Sequence, residues 1–144
     1  MAETTVGPLG LRVGQTASRT KTITDGDLRA YAEITGDYNP LHFDEVFAAG
    51  TRFGRRVAQG GIISGMLNAL VAMDLPGPGT VFMSQTLTYR APAYVGDTLT
   101  ARGEIVSLKP HKPVCQIKFD IINQSGDVIL EGEAWTYTMR PGLA

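Results

Sequence analysis

Apolar and polar positions follow two rhythms along this chain, and the change comes near Gly77. Residues 11–23 open with a strand-like stretch that is branched, threonine-rich and weakly alternating. Thr24 followed by Asp27 predicts a capping-box start. Leu28, Tyr31 and Ile34 then read as one helical face over about 25–35, with Gly36 as the C-cap. The segment DEVFAAGTRFG predicts a short helix ended by Gly50 or Gly54. After Gly60-Gly61, the residues Ile62, Ile63, Met66, Leu67, Leu70, Val71 and Met73 cover nearly a whole helical circumference, broken by Ser64 and Asn68. A helix apolar all round should be buried. It would be about 20 Å long and stops at DLPGPG.

Beyond that stop the period becomes two. TVFMSQTLTYRAPA, TLTARGEIVSL, PVCQIKFDIIN and VILEGEAWTYTM are four strand-like runs. In the third, Cys115, Ile117, Phe119 and Ile121 point one way, and Gln116, Lys118 and Asp120 the other. QSGD and KPHKP mark turns. One strand, one buried helix and four further strands predict an α+β domain in which an antiparallel sheet wraps a helix. There is no internal repeat and no linker, so a single domain spanning 1–144 is expected.

Composition narrows the function classes. The chain carries 13 basic and 14 acidic side chains, so its charge balance advertises neither nucleic acid nor an anionic membrane surface. Cys115 is the only cysteine and there are two histidines, which excludes a disulfide framework and leaves little material for a metal site. MAETTVGPLG lacks the basic-then-apolar order of a secretory signal. The longest apolar run is too short to span a bilayer, so a cytoplasmic protein is expected. Asn123-Gln124-Ser125 then matches the glycosylation pattern by chance.

The chemistry concentrates in TGDYNPLHFDE, residues 35–45. On a regular helix Asp37 and His42 would sit about 140° apart, and on a strand they would take opposite faces. Pro40 argues against both, since it lacks a backbone donor and pushes Asn39 out of the helical region. A tight irregular turn remains, and a turn can aim both side chains at one point.

The stretch YAEITGDYNPLHFDE strongly resembles the Gly-Asp-x-Asn-Pro-Leu-His-x-Asp signature of the MaoC-like, or (R)-specific, enoyl-CoA hydratases. GRRVAQGGIISGML resembles the segment leading into that family's central helix, and the resemblance continues over residues 12–139. It implies a hot-dog fold, working as a homodimer or larger assembly. It also implies hydration of a trans-2-enoyl thioester to the (R)-3-hydroxyacyl thioester, or the reverse. The thioester, on CoA or on acyl-carrier protein, is the substrate, and no cofactor or metal is expected. Asp37 and His42 match the catalytic pair: a carboxylate and an imidazole can hold one water, take its proton as hydroxide adds at C3, and return a proton to C2. Their base and acid roles stay unassigned, because a coupled pair shares its protons.

By the same resemblance, Gly60 supplies a backbone N–H for the enolate oxygen, at the positive end of the central helix. Gln59 stands where the family commonly has His, and Asn68 where some members have a helping Ser; both remain substrate-binding candidates. Asn39 and Pro40 read as turn-forming, and Asp44 as the cap of the next helix. Arg52, Arg55 and Arg56 form a basic cluster that could meet CoA phosphates. His111 reads as solvated and Cys115 as core. A hot-dog thioesterase, which would aim water at the carbonyl, and a non-catalytic binding subunit are the competing readings.

Overall fold

A computed structural model describes residues 6–143; the first half of the N-terminal segment MAETTVGPLG lies outside the described residues. Strand β1 (Thr16–Thr22) leads into helix α1 (Asp25–Thr35), then α2 (Pro40–Phe43), α3 (Glu45–Ala49) and α4 (Gly60–Ala69). Strands β2 (Thr80–Tyr89), β3 (Thr98–Leu108), β4 (Val114–Ile122) and β5 (Val128–Thr138) come after them. All five strands form one antiparallel sheet in the order β1-β3-β4-β5-β2. This sheet curls round α4, the hot-dog arrangement.

Local chemistry explains most boundaries. Thr24 Oγ1 accepts from Asp27 N–H at 3.2 Å, while Thr24 N–H donates to Asp27 Oδ2 at 2.9 Å, completing the capping box of α1. Gly36 ends α1 in the left-handed conformation. Asp44 caps α3 by accepting from Phe47 N–H at 2.9 Å, and Gly50 ends it. Beyond Ala69 the helix widens into a π-helical turn, Leu70–Asp74, closed by Leu75 N–H on Leu70 O at 2.9 Å. Helix and turn together span about 22 Å at 1.5 Å per residue.

The core lies between α4 and the sheet. Leu67, Leu70 and Val71 meet Leu99, Ala101, Ile105, Ile117, Ile121 and Leu130, all essentially solvent-free. Cys115, Ile117, Phe119 and Ile121 take the buried face of β4, as their alternation predicts. Burying one such aliphatic side chain is worth about 1.5–3 kcal/mol, so this layer holds the framework that carries the site.

Three expectations are corrected. Residues 11–15 do not extend β1, because Gly14 has φ +93°, which extended backbone cannot accommodate. The buried face of α1 is Leu28 and Ala32, while Ile34 is 83% exposed; six residues along a helix rotate the side chain well off the starting face. The central helix is not buried all round. Its sheet side is closed, but Asn68 and Met73 are exposed.

Candidate active site

Asp37 and His42 do converge, and the turn that brings them together contains a helix. Pro40 is its first residue, the one helical position where a missing N–H and a fixed φ cost nothing. Asn39 caps it, its Oδ1 accepting from Leu41 N–H at 3.1 Å. The expectation of a wholly irregular bend thus gives way to an irregular Asp37-Tyr38-Asn39 segment that runs into one helical turn. Asp37 Oδ1 accepts from Asn39 N–H at 3.2 Å, which leaves Oδ2 facing the imidazole.

The imidazole is held from outside the turn. His42 Nδ1 lies 2.7 Å from the carbonyl oxygen of Val57. A carbonyl can only accept, so Nδ1 carries the proton and neutral His42 presents a bare Nε2. That Nε2 lies 3.7 Å from Asp37 Oδ2, too far for a hydrogen bond. The two atoms are both acceptors aimed at a common point. A water donating one proton to each needs them about 4.4 Å apart, given arms of about 2.8 Å. A modest opening of the pair seats it. Asp37 can make that movement, since its side chain is 40% exposed against 9% for His42.

The start of α4 lies close by in the chain. Gly60 lies three positions after Val57, a reach of at most about 11 Å. Gln59 has no side-chain cap bond, and the N–H groups of Gly60 and Gly61 have no partner among the described residues. They are free donors at the positive end of a ten-residue helix. Two tyrosines frame this corner. Tyr89 packs its ring on Gly60 and donates its hydroxyl to Gly60 O at 3.0 Å. Tyr31 presses on Gly61 so closely that a Cβ there would sit 1.7 Å from the phenolic oxygen. Gly61 is therefore a packing requirement, while a Cβ at Gly60 would make a tight 3.3 Å contact with the Tyr89 ring.

The other candidates separate. Gln59 is wholly buried and donates Nε2–H to Leu28 O at 3.0 Å, while its Oε1 has no partner. A side chain with no accessible surface cannot touch a ligand in this conformation, so the expectation of direct substrate contact is corrected: Gln59 ties α4 to α1. Asn68 is exposed, two turns along α4 from Gly60. Arg52 and Arg55 are exposed, Arg55 stacked 3.9 Å over the Tyr94 ring. Arg56 turns inward, donating Nε–H to His42 O at 2.6 Å and Nη2–H to Asp25 Oδ1. Two of its three guanidinium nitrogens are thereby committed within the fold.

Among the described residues, no three of His, Cys, Asp and Glu cluster closely enough to hold a metal ion, and no helix is long and apolar enough to cross a membrane. A hollow of about 1080 Å³ lies on the outer face of the sheet, lined by Arg102, Glu104, Lys118, Asp120, Glu131 and Glu133 among others. It is wide open, carries mixed charge and lies away from Asp37 and His42, so the chemistry locates the site and the hollow does not.

The chain is similar to known proteins. The MaoC like domain family matches residues 11–125. The chain belongs to the MaoC-like family. Within it, the 3-hydroxybutyryl-CoA dehydratase of Methylorubrum extorquens is 41% identical over 124 residues, 86% of this chain and 78% of that protein. The (R)-specific enoyl-CoA hydratase of Aeromonas caviae is 36% identical over 86% of this chain and 92% of its own length. The solved (R)-hydratase from A. caviae superposes with a TM-score of 0.86 at 34% identity, covering 90% of this chain and 98% of that one.

Two features of this MaoC-like site had no sequence signal. Val57 acts through its backbone carbonyl, which no side chain announces. The two tyrosines look like ordinary core aromatics until the fold brings them against adjacent glycines.

Proposed function

We propose that this chain is an (R)-specific enoyl-CoA hydratase, a hydro-lyase acting reversibly on trans-2-enoyl and (R)-3-hydroxyacyl thioesters. The observation that carries the reading is the 2.7 Å contact of His42 Nδ1 with Val57 O, which only an Nδ1–H donor can make. With Nδ1–H committed to Val57 O, the Nε2 lone pair and the Asp37 carboxylate form a double acceptor, and α4 with its unpartnered N–H groups begins three positions after Val57.

The pair holds one water by both of its protons. As the water oxygen bonds to C3 of the enoyl group, one proton passes to the pair, the other stays in the new hydroxyl, and the C2–C3 π electrons move toward the thioester oxygen. Gly60 N–H, at the head of α4, stabilises that oxygen. The enolate then collapses, and C2 takes the proton from the pair. One water supplies both parts, so they arrive on the same face. The reverse sequence dehydrates the hydroxyacyl thioester. No step requires a cofactor.

Arg52 and Arg55, both exposed, suit the CoA phosphates. Edge strand β2 exposes Val81, Met83 and Tyr89, and the π-helical turn after α4 leaves Met73 uncovered, surfaces that suit a second copy in a homodimer. The whole chain acts as one domain. A lone buried thiol at Cys115 suits the reducing cytoplasm.

The test uses a panel of enoyl thioesters on CoA and on carrier protein. Loss of the conjugated chromophore, with (R)-3-hydroxyacyl product and no free thiol, is expected. Thiol release without hydroxyacyl product would replace hydration by hydrolysis.

A further inference from the structure

We propose that Arg56 is a positioning residue for His42, clamping the histidine's turn to α1 through Asp25. The consequence for turnover rests on the hydratase reading; the contacts stand without it.

Helix α2 is a single turn of four residues. A helix that short has little stability of its own, and its last carbonyls have no partners within the helix. His42 O is one of those carbonyls, and Arg56 Nε–H satisfies it at 2.6 Å. The same guanidinium donates Nη2–H to Asp25 Oδ1, and its Cζ lies 5.9 Å from the centre of the Phe43 ring. Asp25 is itself anchored: Oδ2 accepts from Arg29 Nε at 2.6 Å, in the first turn of α1. Arg56 and then Arg29 hold the Asp25 carboxyl below the usual carboxylate range.

The neighbouring residue completes the bracket. Val57 N–H donates to Leu41 O at 3.2 Å, and Val57 O takes the His42 Nδ1 proton. Residues 56 and 57 therefore grip the α2 turn at three points, two through backbone and one through a side chain. The side-chain point is the one substitution can remove. Arg suits it because two donors of one rigid fork reach two acceptors on different elements; a lysine ammonium has no such fork. The Arg56 side chain is 18% exposed, with these donors committed.

Loosening the clamp frees the turn to fray, and His42 Nδ1 then drifts from Val57 O. The tautomer that leaves Nε2 bare is no longer enforced. Misplacement by about 1 Å can cost about 10²-fold in rate.

The chain has two histidines, so ¹⁵N-histidine NMR on the full-length protein resolves His42 directly, with His111→Gln assigning the other signal. In the unsubstituted protein neutral His42 carries its proton on Nδ1. Arg56→Leu should mix the two tautomers and lower kcat about 10–100-fold, with KM within about twofold. Arg56→Lys should recover only part of the loss. Asp25→Asn, which leaves the bond to His42 O in place, should cost about 3–10-fold. Arg29→Ala, which removes the anchor of Asp25 and leaves both Arg56 bonds in place, should cost less than Asp25→Asn. If Arg56→Leu proves unstable, Arg56→Lys and Asp25→Asn carry the same test. A folded Arg56→Leu with the Nδ1–H tautomer and normal kcat overturns the proposal. So does a raised KM at unchanged kcat, which would make Arg56 a substrate contact. If the parent protein hydrates no thioester, the hydratase reading fails, and the NMR signal still decides the clamp.

Discussion

The two arms of the site are held in different ways. The Asp37 arm is local: Asp37 N–H meets Thr35 Oγ1, and Asp37 Oδ1 meets Asn39 N–H, both within two residues. The His42 arm is tertiary: its ring, its carbonyl and the carbonyl of Leu41 all bond to residues 56–57. One arm can adjust and the other is fixed. This division suits a pair that must part slightly to admit water. The fixed member sets the direction and the movable member sets the gap.

The strongest way to break this comparison is to remove each member. Asp37→Asn and His42→Gln should each lower kcat about 10²–10⁴-fold. They should differ in stability. Asp37→Asn keeps its Oδ1 acceptor and should change unfolding free energy by less than about 0.5 kcal/mol. His42→Gln abandons the Val57 carbonyl and should lose about 1 kcal/mol. Urea unfolding alongside steady-state kinetics reads both, and equal stability losses would erase the distinction between the arms.

A milder probe loosens the joint between them. Asn39→Ala removes the cap of α2 and should cost about 1 kcal/mol. Turnover should fall severalfold as the short helix frays, and a circular-dichroism melt with an activity assay checks both. Full activity would mean that residues 56–57 alone hold the turn.

The smallest effect sharpens the tertiary arm through pH. The Asp25 carboxyl is depressed by Arg56 and then Arg29, so it binds fewer protons folded than unfolded. Its contribution is fully present above the ordinary value near 3.8 and is lost as pH falls through the lower folded value. The Tm gap between the parent protein and Asp25→Asn should therefore be constant near neutrality and narrow below about pH 4. A gap that widens in acid would reverse the sign.

The four later strands and the helix at Gly60 are legible in the sequence because period and punctuation agree there. The pair Asp37 and His42 is legible through its spacing around Asn39-Pro40. Pro40 itself misleads: it argues against a helix and yet begins one, because its tolerance at a first position depends on the residues C-terminal to it. The exposure of Ile34 and the open side of α4 are illegible for a different reason: apolarity alone does not say which surface covers a residue. Arg56 reads as a phosphate contact because charge in a cluster carries no direction. Only tertiary placement shows that it points at His42 and Asp25.

Tyr31 and Gly61 also constrain how this protein can change over generations or in the laboratory. The phenol fills the space that any side chain at 61 would need. A lone Gly61→Ala meets a wall, while Tyr31 can shrink first and leave Gly61 intact. Remodelling the head of the central helix is thus an ordered route, with the tyrosine as its first step, and the two positions should show strong non-additivity in any library that samples both.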